Sequence, residues 1–209
     1  MLDGVEAHGK IISTIIVASR KLYADPLDND SDNDGLSDYE EMIQGTYVNV
    51  EYENYTTTSY VTYSDPLAND SDDDKLDDPQ EYLFGSDPLV VDTDFDNLTD
   101  YLETIFRTNI VVADSDHDLL VDSDEVYGTN ITNPHTGETY TVRPDPWDND
   151  TDNDGLLDGE EVNGFNLTIP NVYQNTIVQT DPMDKDCDRD GLLDYAEVKG
   201  VNISNVVYY

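Results

Sequence analysis

Among 209 residues, 48 acidic side chains stand against 9 basic ones, a formal charge of −39 that repels nucleic acid and anionic lipid. A hydrophobic share of 37 % is small beside that charge, and composition alone points to an acidic disordered chain. A single cysteine, Cys187, excludes an internal disulfide; the best apolar run, 11–18, is too short for a membrane span and follows Asp3 and Glu6, which suit no signal peptide.

In chain order, 1–24 reads as the tail of a preceding repeat followed by a hairpin. Leu2-Asp3-Gly4-Val5-Glu6 and Gly9 align with Leu157-Asp158-Gly159-Glu160-Glu161 and Gly164. Repeat 1, 25–64, opens at Asp25-Pro26 and carries a loop with Asp30, Asp32, Asp34, Gly35, Leu36, Asp38 and Glu41. Alternating apolar residues at 47–52 and 59–63 then predict a β-hairpin insert. Repeat 2, 65–86, has Asp65-Pro66 and a loop with Asp70, Asp72, Asp74, Leu76, Asp78 and Glu81. Repeat 3, 87–108, has Asp87-Pro88 and Asp92, Asp94, Asp96, Leu98, Asp100 and Glu103, and neither of these two repeats has an insert.

Repeat 4, 109–144, offers Asn109 in place of the opening Asp, then Asp114, Asp116, Asp118, Leu120, Asp122 and Glu125, and a hairpin over 129–142 that turns between Asn133 and Gly137. Repeat 5, 145–180, has Asp145-Pro146, the loop residues Asp150, Asp152, Asp154, Gly155, Leu156, Asp158 and Glu161, and a hairpin over 166–178. Repeat 6, 181–209, has Asp181-Pro182, then Asp186, Asp188, Asp190, Gly191, Leu192, Asp194 and Glu197, and closes on half of a further insert. In every loop Asp holds relative positions 1, 3, 5 and 9 and Glu holds position 12, so five positions in six loops absorb 30 of the 48 acidic residues. A solvated acidic tail would not confine its charge to a register.

That register suits a calcium ion, which takes six to eight oxygens at about 2.3–2.6 Å. Carboxylates at positions 1, 3 and 5 wrap one side, the backbone carbonyl of the position 7 leucine adds a ligand, and Glu at position 12 closes the shell. Magnesium demands a tighter octahedron, and zinc wants Cys and His, which are scattered here. Position 6 requires a sharp turn: Gly35, Gly155 and Gly191 supply it, Asn97 tolerates it, and Lys75 and Leu119 are strained, so the second and fourth loops are expected to bind more weakly. The position 9 Asp is either a helix N-cap, the preferred reading, or a further ligand. His117 and Cys187, at positions 4 and 2 of their loops, are expected to face outward. An EF-hand needs an entering helix, which the Asp-Pro steps forbid. After each loop only one or two helical turns fit before Gly45, Gly85, Gly128, Gly164 or Gly200.

The D-x-D-x-D-G-x-x-D-x-x-E loop with an Asp-Pro step upstream resembles the thrombospondin type 3 repeat in its prokaryotic form. A similar stretch occurs in the calcium-binding segment of anthrax protective antigen and related binary-toxin carriers. The resemblance implies at least one calcium per complete loop and as many as two. The second would share the position 3, 5 and 12 carboxylates and take the Asp of the next Asp-Pro step: Asp65 for the first loop, Asp87 for the second, Asp145 for the fourth and Asp181 for the fifth. Asn109 departs from that pattern at the third.

The expected architecture is a small irregular repeat array, an elongated rod of calcium loops with short helices, punctuated by β-hairpins. Its expected partners are calcium ions and copies of itself or neighbouring repeats head to tail, 201–208 of one copy adding as a strand to 10–18 of the next and a neighbour completing the site of Glu6. Nucleic acid and membrane insertion are not expected, and no Ser, His and acid assemble an enzyme's nucleophile. Extracellular calcium sites bind at about 10⁻⁴–10⁻³ M, so the protein is expected to be secreted or at the cell surface. Eight Asn-x-Ser/Thr sequons, among them Asn54, Asn130, Asn166 and Asn202, fit a glycoprotein there. The expected role is a filament subunit or stalk; the alternative is a calcium-dependent spacer of a larger adhesin or toxin.

Overall fold

The computed structural model describes residues 23–133, 136–169 and 173–200. Within them short helices α1 (Glu40–Gln44), α2 (Asp78–Phe84), α3 (Asp100–Phe106), α4 (Asp122–Tyr127), α5 (Asp158–Asn163) and α6 (Asp194–Lys199) each follow one acidic loop. Between them lie three two-stranded antiparallel sheets: β1 (Thr46–Glu51) with β2 (Thr57–Thr62), β3 (Thr129–Thr132) with β4 (Thr139–Val142), and β5 (Phe165–Ile169) with β6 (Tyr173–Val178). The preceding-repeat tail and hairpin expected before residue 23, the half insert after Gly200 and the strand addition between them lie outside the described residues. No helix among the described residues is long and apolar enough to cross a membrane.

Helices α2 to α6 begin one residue earlier than a position 9 cap requires. Thr99, at position 8, accepts the Leu102 N–H on its hydroxyl, and Asp77 forms a capping box with Gln80. Ser37 and Glu40 make the same reciprocal pair in the first loop. The position 9 Asp is therefore the first helical residue, and its carboxylate is free for another task. α1 is wound as a π-helix, Gly45 donating to the Glu40 carbonyl at 2.7 Å. α3 has no terminal glycine and ends on Arg107 at φ +70°.

The interior is built mainly of carboxylates. Twelve hydrophobic side chains are buried among the described residues, against seventeen Asp and Glu. The position 7 leucines supply much of the apolar part: Leu76, Leu98, Leu120 and Leu156 are all buried. Leu120 joins Ile131, Val142 and Val162, so the second hairpin packs on both the fourth and the fifth loop.

The hairpins reach far along the chain. Glu51 of β1 exchanges backbone hydrogen bonds with Val111 (2.7 Å) and Ala113 (3.0 Å), just ahead of the fourth loop. Tyr52 stacks on Phe95 of the third loop with ring centres 6.1 Å apart. From the second hairpin, the Tyr140 hydroxyl donates to Asp181 at 2.9 Å. Isolated hairpins are marginal in water, and here each is held by later repeats.

Candidate metal centres

Within each loop the position 1 carboxylate folds the backbone around itself. Asp92 accepts the N–H groups of Phe95 (2.8 Å) and Asn97 (3.0 Å), and Asp150 those of Asp154 (3.1 Å) and Gly155 (2.9 Å). Asp186 does the same for Asp190 (3.2 Å) and Gly191 (3.0 Å). The position 5 carboxylate takes the position 7 N–H, as in Asp34 with Leu36 at 2.7 Å, Asp118 with Leu120 at 2.7 Å and Asp190 with Leu192 at 2.9 Å. Positions 4 and 6 both require positive φ. Lys75 and Leu119 do sit in the left-handed region, at +91° and +85°, and so do Phe95, His117 and Arg189 at position 4, a second turn the residue pattern did not announce.

This folding gathers the carboxylates. Oxygens of Asp30, Asp32 and Asp34 lie within 4.8 Å of one another, and so do those of Asp70, Asp72 and Asp74, of Asp92, Asp94 and Asp96, and of Asp114, Asp116 and Asp118. Glu41, Glu81, Glu103, Glu125 and Glu161 close the first five loops and are almost wholly buried. Glu197 of the sixth loop is exposed, as are Leu192 and Asp190 beside it.

The buried oxygens are short of partners. Oδ2 of Asp32, Asp72, Asp94 and Asp152, both oxygens of Asp116, Glu81 and Glu125, and Oε2 of Glu41, Glu103 and Glu161 accept no hydrogen bond. Neither do Lys or Arg side chains neutralise them: among the described residues the ion pairs are His117–Glu51, Arg189–Asp184 and Lys199–Glu160. Without metal, burial pushes Glu41 up to about 8, Glu161 to about 9, and Glu81 and Glu125 to about 10, with neighbouring loop carboxylates adding to the rise. Groups this desolvated and crowded require either protons or a cation. An all-oxygen set with no Cys or His fits a hard divalent ion of the calcium class.

In the first, third and fifth loops one oxygen of the closing Glu is steadied by the hydroxyl that precedes the next repeat. Ser64 donates to Glu41 at 3.1 Å, Thr108 to Glu103 at 3.4 Å and Thr180 to Glu161 at 2.8 Å. Pro144 occupies that place after the fourth loop, where Glu125 has no partner at all.

The position 9 Asp acts as a clamp. Thr93, at position 2, donates its N–H and its hydroxyl to the two oxygens of Asp100, each at 2.7 Å, while its oxygen accepts the Asp87 N–H at 2.9 Å. Ser31, Ser71, Ser115 and Thr151 repeat the arrangement with Asp38, Asp78, Asp122 and Asp158. Cys187 takes the same place: its N–H donates to Asp194 at 3.1 Å and its Sγ accepts the Asp181 N–H at 3.1 Å. The expectation that Cys187 faces outward is corrected by this bond pattern, and the run of hydroxyl residues at position 2 was the available signal. His117 keeps half its surface in solvent but lies 3.2 Å from Glu51 and stacks on Tyr55.

Successive loops are joined by a contact that side-chain identity did not reveal. The position 10 N–H of one loop donates to Oδ2 of position 5 in the loop before it: Tyr101 to Asp74 (2.9 Å), Ser123 to Asp96 (3.0 Å), Gly159 to Asp118 (2.9 Å) and Tyr195 to Asp154 (2.7 Å). At Gly159 the backbones pass so close that a Cβ would stand 2.5 Å from the Asp118 carbonyl oxygen.

The Asp-Pro aspartates turn their own chain: Asp65, Asp87, Asp145 and Asp181 each accept the N–H two residues on, at 3.3, 3.2, 3.2 and 3.1 Å. Asp87 also takes the Thr62 hydroxyl at 2.6 Å, tying it to the first hairpin.

Residues 30–46 and 150–164, the first and fifth loops with their helices, match the family model of the bacterial TSP3 repeat. No curated protein and no solved structure matches the chain.

Proposed function

We propose that this chain, which carries calcium-binding thrombospondin type 3 repeats of the bacterial type, is an extracellular structural protein, rigidified by calcium into a rod that serves as a surface filament subunit or stalk. Carrying the reading are the buried, unpartnered oxygens of Asp32, Glu41, Asp72, Glu81, Asp94, Glu103, Asp116, Glu125, Asp152 and Glu161, recurring loop after loop with no Lys or Arg ion pair to them among the described residues.

Each loop would hold its ion through the carboxylates at positions 1, 3, 5 and 12 and the leucine carbonyl at position 7. Like charges about 5 Å apart cost roughly 3 kcal/mol per pair at an effective dielectric near 20. Twelve buried apolar side chains do not offset that repulsion in every loop. Ion binding and folding are then one process. Affinities typical of extracellular calcium modules, about 10⁻⁴–10⁻³ M, would leave the array empty at cytosolic calcium levels and filled outside the cell. The loop-to-loop bonds through Asp74, Asp96, Asp118 and Asp154, with the hairpins laid across them, pass each loop's order to its neighbours.

Electron microscopy of the native material with and without chelator tests the structural role. Stiff rods or ordered fibres that collapse on chelation are expected. Rods ending in a separate globular head would assign the chain to a spacer of a larger adhesin or toxin instead.

A further inference from the structure

Three residues in repeats 3 to 5 break the repeat pattern, and they meet in one place. Helices α1, α2, α4, α5 and α6 end on glycine, whereas α3 ends on Arg107 at φ +70°, a conformation that disfavours any side chain. Asn109 stands where the other five repeats open on Asp. Trp147, the only tryptophan of the chain, follows Pro146 where the other repeats have Leu, Val or Met. All three line a cleft of about 380 Å³, together with Phe84, Thr104 and the buried Ile110. Glu103 also lines it, but its side chain is almost wholly buried, belongs to the third loop and takes the Thr108 hydroxyl.

The cleft holds groups with nothing inside the protein to satisfy them. Arg107 makes no ion pair among the described residues, in a chain with 48 acidic side chains. Asn109 Oδ1 accepts the Val111 N–H at 3.5 Å, which leaves the amide N–H donors. The Thr104 hydroxyl donates to the Tyr101 carbonyl at 2.7 Å and keeps its acceptor lone pairs. Trp147 and Phe84 are 56 % and 47 % exposed. Arg in place of Gly and Asn in place of Asp both make this cleft more positive than its counterparts in the other repeats. A cation held on costly backbone without an internal partner points to a ligand outside the chain.

We propose that Arg107, Asn109 and Trp147 form a binding site for an acidic sugar of the hexuronate class. The guanidinium pairs with the sugar carboxylate. The Trp147 ring takes the apolar C–H face of the pyranose, and Asn109 and Thr104 serve the ring hydroxyls. An aromatic acid would leave those two neutral groups unused. Ligand pockets run about 300–1,000 Å³, and this cleft, at the small end, suits one or two sugar rings. The site lies apart from the acidic loops and gives the rod proposed above a ligand of its own.

Trp147 emission reports the site directly, because the chain has no other tryptophan. The full chain in calcium buffer is titrated with D-glucuronate, glucose and benzoate at fixed free calcium and ionic strength. A saturable change with glucuronate is expected. Glucose, which lacks the carboxylate, is expected to bind about tenfold more weakly, the worth of one charged hydrogen-bonded contact. Arg107→Gly restores the residue that ends the other five helices, and Arg107→Asn keeps a side chain that tolerates the left-handed region. Both are expected to retain the circular dichroism of the unaltered chain and to lose glucuronate affinity by a similar factor. No saturable change with glucuronate, undiminished affinity in both variants, or glucose or benzoate matching glucuronate overturns the site.

Discussion

Tyr55, at the turn of the first hairpin, donates its hydroxyl to Oδ2 of Asp114, the first carboxylate of the fourth loop, at 2.6 Å across 59 residues of sequence. The same oxygen accepts the Leu119 N–H at 3.0 Å, so a side chain from repeat 1 helps to set the loop of repeat 4. Hydrogen bonds to charged groups contribute about 1.5–3 kcal/mol. Tyr55→Phe, which keeps the ring on His117, is expected to lower the melting temperature in calcium by several degrees and to weaken the fourth loop's affinity a few-fold. Calcium titration followed by differential scanning fluorimetry measures both; an unchanged melting curve would mean that the hairpin does not support the loop.

Leu119 and Lys75 stand in the left-handed region where three other loops use glycine. A non-glycine residue there costs about 1–2 kcal/mol, partly offset by the chain entropy that glycine loses on folding. Leu119→Gly is expected to raise stability in calcium by about 0.5–1 kcal/mol, read from denaturant midpoints. Lys75→Gly has a smaller expected gain, because the ammonium also lies 5.5 Å from the Tyr101 ring centre.

Cys187 fills with a thiol the place that Ser or Thr fills in the other five loops, but its Sγ–H donates to the Asp184 carbonyl at 3.4 Å and leaves Asp194 Oδ2 without a partner. Burial and the neighbouring Asp194 carboxylate raise its pKa, so little thiolate forms at neutral pH. In calcium, alkylation by iodoacetamide is expected to be slow, and chelation is expected to speed it at least tenfold by opening the loop. Cys187→Ser supplies a stronger hydrogen-bonding group and is expected to match or exceed the native stability, whereas Cys187→Ala, which loses the acceptor for the Asp181 N–H, is expected to fall below it.

Protons and calcium compete for the same oxygens. In the metal-free fold Glu81 and Glu125 are pushed up to about 10 and Glu41 to about 8, from an ordinary value of 4.5. The folded state therefore binds more protons than the unfolded one. The stability these groups give the metal-free fold is fully present below about pH 4.5 and is lost as pH rises through the folded values. Chelated protein is expected to gain helical circular dichroism as it is acidified from pH 8 to 4.5, while calcium affinity falls over the same range. A chelated chain that lost structure on acidification would contradict the burial of these carboxylates.

The loop register was legible in the sequence because each position is marked by side-chain chemistry: an Asp comb, a turn residue and a closing Glu. The three hairpins were legible from alternation, as at 47–52. The junctions were not, because Tyr101, Ser123, Gly159 and Tyr195 act through their backbone N–H groups, which leave no mark on residue type. Asp38 and its equivalents read as caps because an Asp three residues ahead of a Glu resembles a capping box. The structure instead caps with the residue before, as at Ser37, Asp77 and Thr99, and gives the aspartate to the position 2 hydroxyl. Hairpin reach was hidden for a different reason: nothing local to Tyr55 identifies a partner in the fourth loop.

Circular dichroism and small-angle scattering of the full chain, in millimolar calcium and then in excess EGTA, bear most directly on the claim that ions organise this interior. The account predicts short-helix and hairpin signal with a well-defined particle in calcium, and an expanded chain without that signal in EGTA. Identical spectra and scattering curves in the two conditions would contradict it.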